Sequence, residues 1–471
     1  MKLKLLVSSM LLAYSVCGQA APMIEGNTLI SNDVIDRNLG AGQPKSVEEA
    51  ARIVVGVYEQ YGYLGVKASI DGNTIHIIEP NAEVSGDYDK SWLPSNNGVV
   101  IIGDIQNSMA MADVANRFQT MDVVVGDLKH DGSVDMNLKR GKAAKPYEAS
   151  VSYSSRGQDA TARDLVTIMG AAHVGGGVRV DVSATHGLSD LRTESKNGRM
   201  DAVRASARKA TQVGEFSLSG EVSGTDIGGR EVTQSQAEMS GKTRRVALGH
   251  RYSFPSVGTV SNTLTWTRRE LRFGLFDVNE NQDYKTWNTS YFGQFGAHQI
   301  NASVTKGLSG ERSFNLIPLM GTFNPNFYSA QLGYGYQGLA FQNQLGYGLS
   351  GSYFTGSKDM PSAERLSIGG SGRGSSHENG VVSGYKGYFG EARLYGMNVP
   401  YLGEYGIKPY VSLNGSETTD AIGEDYQIVA TEVGMIGKWG NTSTTVSYSN
   451  SIREKNVDHD SRLNLDMSYA F

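Results

Sequence analysis

An alternation of apolar and polar residues with a period of two dominates the second half of the chain. Leu463, Leu465, Met467, Tyr469 and Phe471 alternate with Asn464, Asp466, Ser468 and Ala470, and the sequence stops on the aromatic. Successive side chains of a strand point to opposite faces, so this stretch predicts a strand between two different environments. The scheme recurs at Tyr147, Ala149, Val151 and Tyr153, and at Val178, Val180, Val182 and Ala184 against Arg179, Asp181, Ser183 and Thr185. Phe216, Leu218, Gly220 and Val222 repeat it against Ser217, Ser219, Glu221 and Ser223. It returns at Tyr328, Ala330, Leu332, Tyr334 and Tyr336, at Leu345, Tyr347 and Leu349, and at Thr444, Val446 and Tyr448. Charged residues in the polar set suit a wet lumen better than a packed sandwich. Strands of about 10 residues with their turns use roughly 20 residues each, so residues 146–471 hold about 16 of them. The expected fold class is mainly β: an antiparallel transmembrane β-barrel of about 16 strands, closed by pairing of its last strand with its first.

The first part of the chain has a different rhythm. Ile24-Glu25-Gly26-Asn27-Thr28-Leu29 reads as a short strand and turn, and Ser46 with Glu49 three residues on is a capping box. Val47, Ala50, Ala51, Val54, Val57, Tyr58 and Tyr61 then form one apolar helical stripe that Gly62 ends. Strands at Val66 to Ile70 and Thr74 to Glu79 flank Asp71-Gly72-Asn73, a hairpin signal. The order is strand, helices, strand, strand. From 83 to 145 the pattern is weaker: a loop-like Asp87 to Gly98, a strand at Val99 to Ile102, a helix over Met109 to Met121, and strands Asp122 to Gly126 and Val134 to Lys139 around His130-Asp131-Gly132.

Composition narrows this picture. Of the 471 residues 58 are Gly and 24 are Tyr, hydrophobic residues reach 39%, and mean hydropathy is -0.32. That balance disfavours membrane helices, which need about 20 consecutive apolar residues, and permits a barrel, in which only alternate residues meet lipid. A net charge of -5 gives no basic face for nucleic acid. Lys2 and Lys4, the apolar run Leu5 to Val16, and Gly18-Gln19-Ala20 predict a signal peptide over 1–20, cleaved after Ala20. Cys17 is the sole cysteine and lies inside it, so the mature chain is expected to lack thiolate metal sites and disulfides. No cofactor and no metal are implied. His173, His186, His298 and His377 lie among Ser and Asp, yet no pair has triad spacing, and no helix follows Gly370, Gly372 and Gly374, so an enzyme is not expected.

The strand, helix and hairpin order of residues 21–82 resembles a POTRA domain, the periplasmic module of the Omp85 superfamily: Ile24-Glu25-Gly26-Asn27-Thr28 matches its opening, and Tyr61-Gly62-Tyr63 its Tyr-x-x-x-Gly-Tyr region. Residues 83–145 read as a shortened second such domain or a linker, and 146–471 as the barrel. Within the barrel, Glu364 to Leu394 runs from a strand into a glycine-dense excursion with one Arg and back into an aromatic strand. It resembles the long sixth loop of Omp85 proteins, and most closely that of two-partner secretion transporters of the hemolysin activator family. Gly369-Gly370 and Ser383-Gly384 match, as do Arg373-Gly374 at the centre of the family's Val-Arg-Gly-Phe or Tyr tetrad, while Gly372 and Ser375 replace its flanks. The family's Arg is held by an Asp of a following strand, and here Asn414 stands at that place.

The resemblance implies an outer-membrane protein with its N-terminal module in the periplasm. It would secrete an unfolded polypeptide partner through its pore, with the barrel assembly machinery and outer-membrane lipid as further partners. Under it, the edge near Ile24 to Leu29, or a groove beside Val54 and Tyr58, would bind the partner, although Val54 and Tyr58 also read as core. Tyr469 and Phe471 would be an assembly signal or plain interfacial anchors. The alternatives are an Omp85-type assembly or insertion factor and a solute channel.

Overall fold

A computed structural model describes residues 22–42, 44–87, 98–100, 105, 121–141, 145, 147–191, 198–211, 213–228, 239–254, 257–274, 277–295, 297–340, 345–396 and 406–471. The expected signal peptide, most of the 109–121 helix and most of the 87–98 loop lie outside these residues. The chain divides into two compact units, a small N-terminal one and a large one containing the barrel.

In the small unit, strand β1 (Met23–Glu25), helices α1 (Asn32–Gly42) and α2 (Val47–Gln60), and strands β2 (Lys67–Asp71) and β3 (Thr74–Ile78) follow the expected order. Ser46 caps α2: its Oγ accepts from Glu49 N at 3.2 Å, and the Glu49 carboxylate accepts from Lys45 N at 2.8 Å. β3 is central, parallel to β1 and antiparallel to β2. The apolar face of α2 packs on it, with Ile35, Val54, Tyr58 and Ile75 fully buried. Val54 and Tyr58 therefore fill the core, as their helical stripe also allowed, and offer no exposed side chain to a partner. A second sheet joins β4 (Asn81–Gly86), β5 (Met121–Leu128) and β6 (Ser133–Arg140) in the order β4-β6-β5.

The barrel has 16 antiparallel strands in sequence order. They are β7 (Tyr147–Ser154), β8 (Leu165–His173), β9 (Val178–Gly187), β10 (Arg199–Thr211), β11 (Gly214–Asp226), β12 (Met239–Phe254), β13 (Gly258–Phe273), β14 (Val278–Phe295), β15 (His298–Phe314), β16 (Tyr328–Ala340) and β17 (Leu345–Gly356). A two-stranded hairpin, β18 (Leu366–Ile368) and β19 (Val382–Gly384), interrupts the series. Then come β20 (Lys386–Gly396), β21 (Ile407–Thr419), β22 (Asp425–Trp439), β23 (Thr442–Lys455) and β24 (Ser461–Ala470), and β24 pairs with β7 to close the sheet.

The alternation read from sequence sorts the faces. Leu218, Val222, Leu248, Leu332, Leu413 and Val446 are exposed on the outside, whereas Ser412, Asn414, Ser416, Ser447 and Ser449 are buried on the inside. The barrel's first and last strands start and stop at the same end, where Phe471 N donates to Ala149 O at 2.9 Å. Turns at that end are tight at 174–177 and 440–441, and the opposite end carries the excursions at 315–327 and 357–385. In outer-membrane barrels the tight turns are periplasmic and the long loops extracellular. The closing seam is shorter than the other pairings: 466–470 pair with 150–154, while the remainder of β24 meets Ser155, whose Oγ accepts from Leu465 N at 2.8 Å.

Candidate functional site

The excursion between β17 and β20 folds back into the barrel. Its base reaches one wall, where Ser362 Oγ accepts from Arg269 Nη1 at 3.1 Å and Glu364 accepts from the Tyr284 hydroxyl at 3.0 Å. Beyond the β18-β19 hairpin, its tip lies against β21 to β23. Gly374, Ser375, Ser376 and His377 are buried there.

The seat is built from small polar side chains. Asn414 Oδ1 accepts from the backbone N–H groups of Gly374 and Ser375 at 3.0 and 2.9 Å, and its Nδ2 donates to Ser375 Oγ at 3.0 Å. Ser416 donates to Arg373 O, and Ser449 donates to Ser375 O at 2.7 Å. His377 is fixed by Ser376 Oγ on Nδ1 at 2.9 Å and by Asp458 O on Nε2 at 2.7 Å. A buried backbone must find partners for its N–H and C=O groups, and here the wall supplies them.

Two glycines are required by close approach. An ideal Cβ on Gly374 would lie 2.5 Å from Ile428 Cγ2, and the residue's φ is +106°. At Gly384 it would lie 2.2 Å from the Thr419 carbonyl oxygen. Side chains at either place would push the loop off the wall.

Arg373 is not held as its family resemblance implied. Its guanidinium stacks over the Phe389 ring, 4.2 Å from the centroid, and Nη1 donates to Ser367 O at 3.3 Å. It makes no ion pair among the described residues. Asn414 thus binds the backbone after Arg373 and not its side chain, which corrects the expectation of an Arg373–Asn414 pair. The physical reason lies in the amide: it offers an acceptor and a donor to a peptide segment, and carries no charge to draw the guanidinium.

The comparisons with known structures bear on this arrangement. The fold is similar to CdiB from Escherichia coli, with a TM-score of 0.61 at 14% identity over 98% of this chain and 93% of that one. CdiB from Acinetobacter baumannii gives 0.60 at 11%, covering 97% and 91%. BamA from Haemophilus ducreyi lacking POTRA domains 1-3 gives 0.50 at 11%, covering 96% and 99%. The chain therefore shares the barrel fold of these three proteins. No protein-family model and no curated protein matches the sequence.

Within that fold the structure brings together Gly369, Gly370, Arg373, Gly374, Ser383, Gly384 and Asn414 in one inward loop and its wall. Ser383 and Gly384 form the returning strand opposite Ser367 and Leu366. Tyr469 and Phe471 lie together on the outer surface at the tight-turn end of the barrel, their rings edge to face with centroids 4.9 Å apart. Of the N-terminal residues, Leu29 is exposed and Ile24 packs against the core on edge strand β1.

Sequence reading singled out Ser375 and His377 without this role, and missed the seat residues Ser376, Ser416 and Ser449 and the aromatic partner Phe389. A signal was present: Ser412, Asn414, Ser416 and Thr418 on one strand, and Ser447, Ser449 and Ser451 on another, place small polar groups at every second position. A second network was also missed. Glu280, fully buried, accepts from Arg312 Nε at 2.7 Å, Gln282 Nε2 at 2.9 Å, Met320 N at 2.8 Å and Leu319 N, and so ties the 315–327 loop inward.

Proposed function

We propose that the protein is an outer-membrane translocator that captures an exported, unfolded polypeptide in the periplasm and passes it through the barrel to the cell exterior. The observation that carries the reading is the glycine-rich loop seated by its backbone inside a 16-stranded barrel, in a chain that also bears a small N-terminal α/β module. A loop bound through exchangeable hydrogen bonds to serines can be released without unpacking an apolar core, as a gate requires. The inward 315–327 loop adds a second closure at the extracellular end. In the module, β1 and β2 are the open edges of their sheet, and strand addition there needs backbone bonds and little side-chain specificity. The edge near Leu29 is the docking position this reading favours, now without Val54 and Tyr58.

Deleting residues 24–80 tests it. The expected result is a heat-modifiable barrel still in the membrane and no release of the partner protein; unaltered release would overturn the reading.

The short β24–β7 seam favours a second reading, an assembly or insertion factor that works through that seam. Cysteines at Ser152 and Ser468, a register pair across it, separate the two. A disulfide there would leave translocation intact and would stop an insertase.

A further inference from the structure

Three cations crowd the outer face of β12 and β13 at the extracellular end of the apolar belt. Arg244 and Arg268 stand directly opposite each other in register, and Lys242 stands opposite Glu270. Their face follows from alternation. Arg244 is two residues from Val246 and Arg268 two from Trp266, which are themselves opposite each other and exposed on the outer surface.

Like charges directly opposite across a strand pair are destabilising unless something neutralises them. One carboxylate meets both guanidiniums directly: Glu270 lies 3.1 Å from Arg268 Nε and 3.7 Å from Arg244 Nη1. Lys242 makes no ion pair among the described residues. Asp283 on β14 stands directly opposite Arg268 in register and also accepts from the Trp266 indole N–H at 2.5 Å. Against Glu270 and Asp283, the three cations leave one positive charge uncompensated beside an apolar surface. Toward the membrane centre the same rows continue as Val246 and Leu248, and as Trp266 and Leu264, so the cluster is the first charged step past the hydrocarbon-facing rows.

We propose that this face is a binding site for a phosphorylated glycolipid of the outer leaflet. The two guanidiniums and Lys242 hold a phosphate monoester, and Val246, Leu248 and Trp266 carry the acyl chains. Phosphate suits the place for two reasons. Arg presents planar paired donors that match phosphate oxygens, and Lys adds a point charge. Headgroup phosphates also lie at the depth where an apolar strand face gives way to charge, while free inorganic phosphate would gain nothing from the apolar rows below.

The full-length protein is purified in detergent, and retention of bisphosphorylated lipid A, of its dephosphorylated form and of inorganic pyrophosphate is measured by native mass spectrometry. Wild type is expected to retain bisphosphorylated lipid A above the other two. Arg244→Gln/Arg268→Gln should lower that retention roughly tenfold, the weight of one lost charge-assisted hydrogen bond. Retention of the dephosphorylated lipid should not change. Lys306→Gln, on another outward position, should behave as wild type. Equal retention of the two lipids by wild type, retention of pyrophosphate as strong as that of the lipid, or an unchanged double variant would each overturn the proposal. If the double variant loses heat-modifiability, the lipid comparison on wild type still decides the matter.

Discussion

The guanidinium of Arg373 lies 4.2 Å over the ring of Phe389, on the first barrel strand after the loop. A half-buried cation over a ring face is worth about 1–2 kcal/mol, so it steers the tip in the absence of a carboxylate partner. Phe389→Leu keeps bulk and removes the ring face. It should loosen the loop by that amount, seen as faster proteolysis within 369–381 and larger conductance fluctuations in planar bilayers. Arg373→Lys should be closer to wild type than Arg373→Ala, because an ammonium also sits over a ring.

Asn414 and Gly374 make a second, independent test. Asn414→Ala leaves two buried N–H groups without an acceptor, at about 1–3 kcal/mol each, and should open the loop more than Phe389→Leu does. Asn414→Asp keeps both acceptors, and Ser375 and Ser412 can turn their hydroxyls to donate to it, so the loop should stay closed. Gly374→Val drives a side chain into Ile428 at a positive φ and should leave the barrel folded with the tip displaced. Protease protection of the tip measures all three; protection in Asn414→Ala equal to wild type would sink the backbone-seat account.

How much of this could be read in the chain depends on the range of the interactions. The barrel was legible because alternation is local: Val178 to Thr185 declares both faces of its strand without reference to a neighbour. The capping of α2 by Ser46 was legible for the same reason. The loop's position was suggested by its glycines and single Arg, but its attachment was not. Asn414 lies 40 residues from Gly374 in sequence, and an amide that binds backbone carries no signature of its partner. Arg373 misled for a related reason, since a cation can be met by a carboxylate or by a ring and only the fold decides. Val54 and Tyr58 were ambiguous because a helix stripe looks alike whether it faces a core or a guest.

The small N-terminal unit should respond to acid through Glu79. Burial raises the pKa of its carboxyl, but hydrogen bonds from Thr28, the Tyr58 hydroxyl at 2.6 Å and Leu29 N at 3.0 Å outweigh that and hold it below its ordinary value of 4.5. Burial and the Glu79 contact push the Tyr58 phenol up, so it stays a donor throughout. A carboxylate depressed in the folded state contributes stability above its unfolded pKa and loses it as pH falls through the folded one. The protection factors of the Thr28 and Leu29 amides, with intrinsic exchange divided out, should therefore fall below pH 4.5 and be flat above it. Glu79→Gln should remove the pH dependence; an identical profile in the variant would contradict the network.

Phe471 joins the seam by its backbone and the surface by its ring. Its N–H donates to Ala149 O at 2.9 Å, and its ring packs edge to face on Tyr469. Phe471→Ala keeps the hydrogen bond and removes the aromatic, whereas deleting the residue removes both. If the ring is an assembly signal, both changes should lower the yield of heat-modifiable barrel in the outer membrane. If the ring is an interfacial anchor alone, the barrel should assemble in Phe471→Ala with a melting temperature lowered by a few degrees at most, the scale of about 1 kcal/mol in a chain of this size. The yield in Phe471→Ala therefore separates recognition from anchoring. The deletion is expected to be worse than the substitution in either case, since the β24–β7 seam is short and loses its last bond.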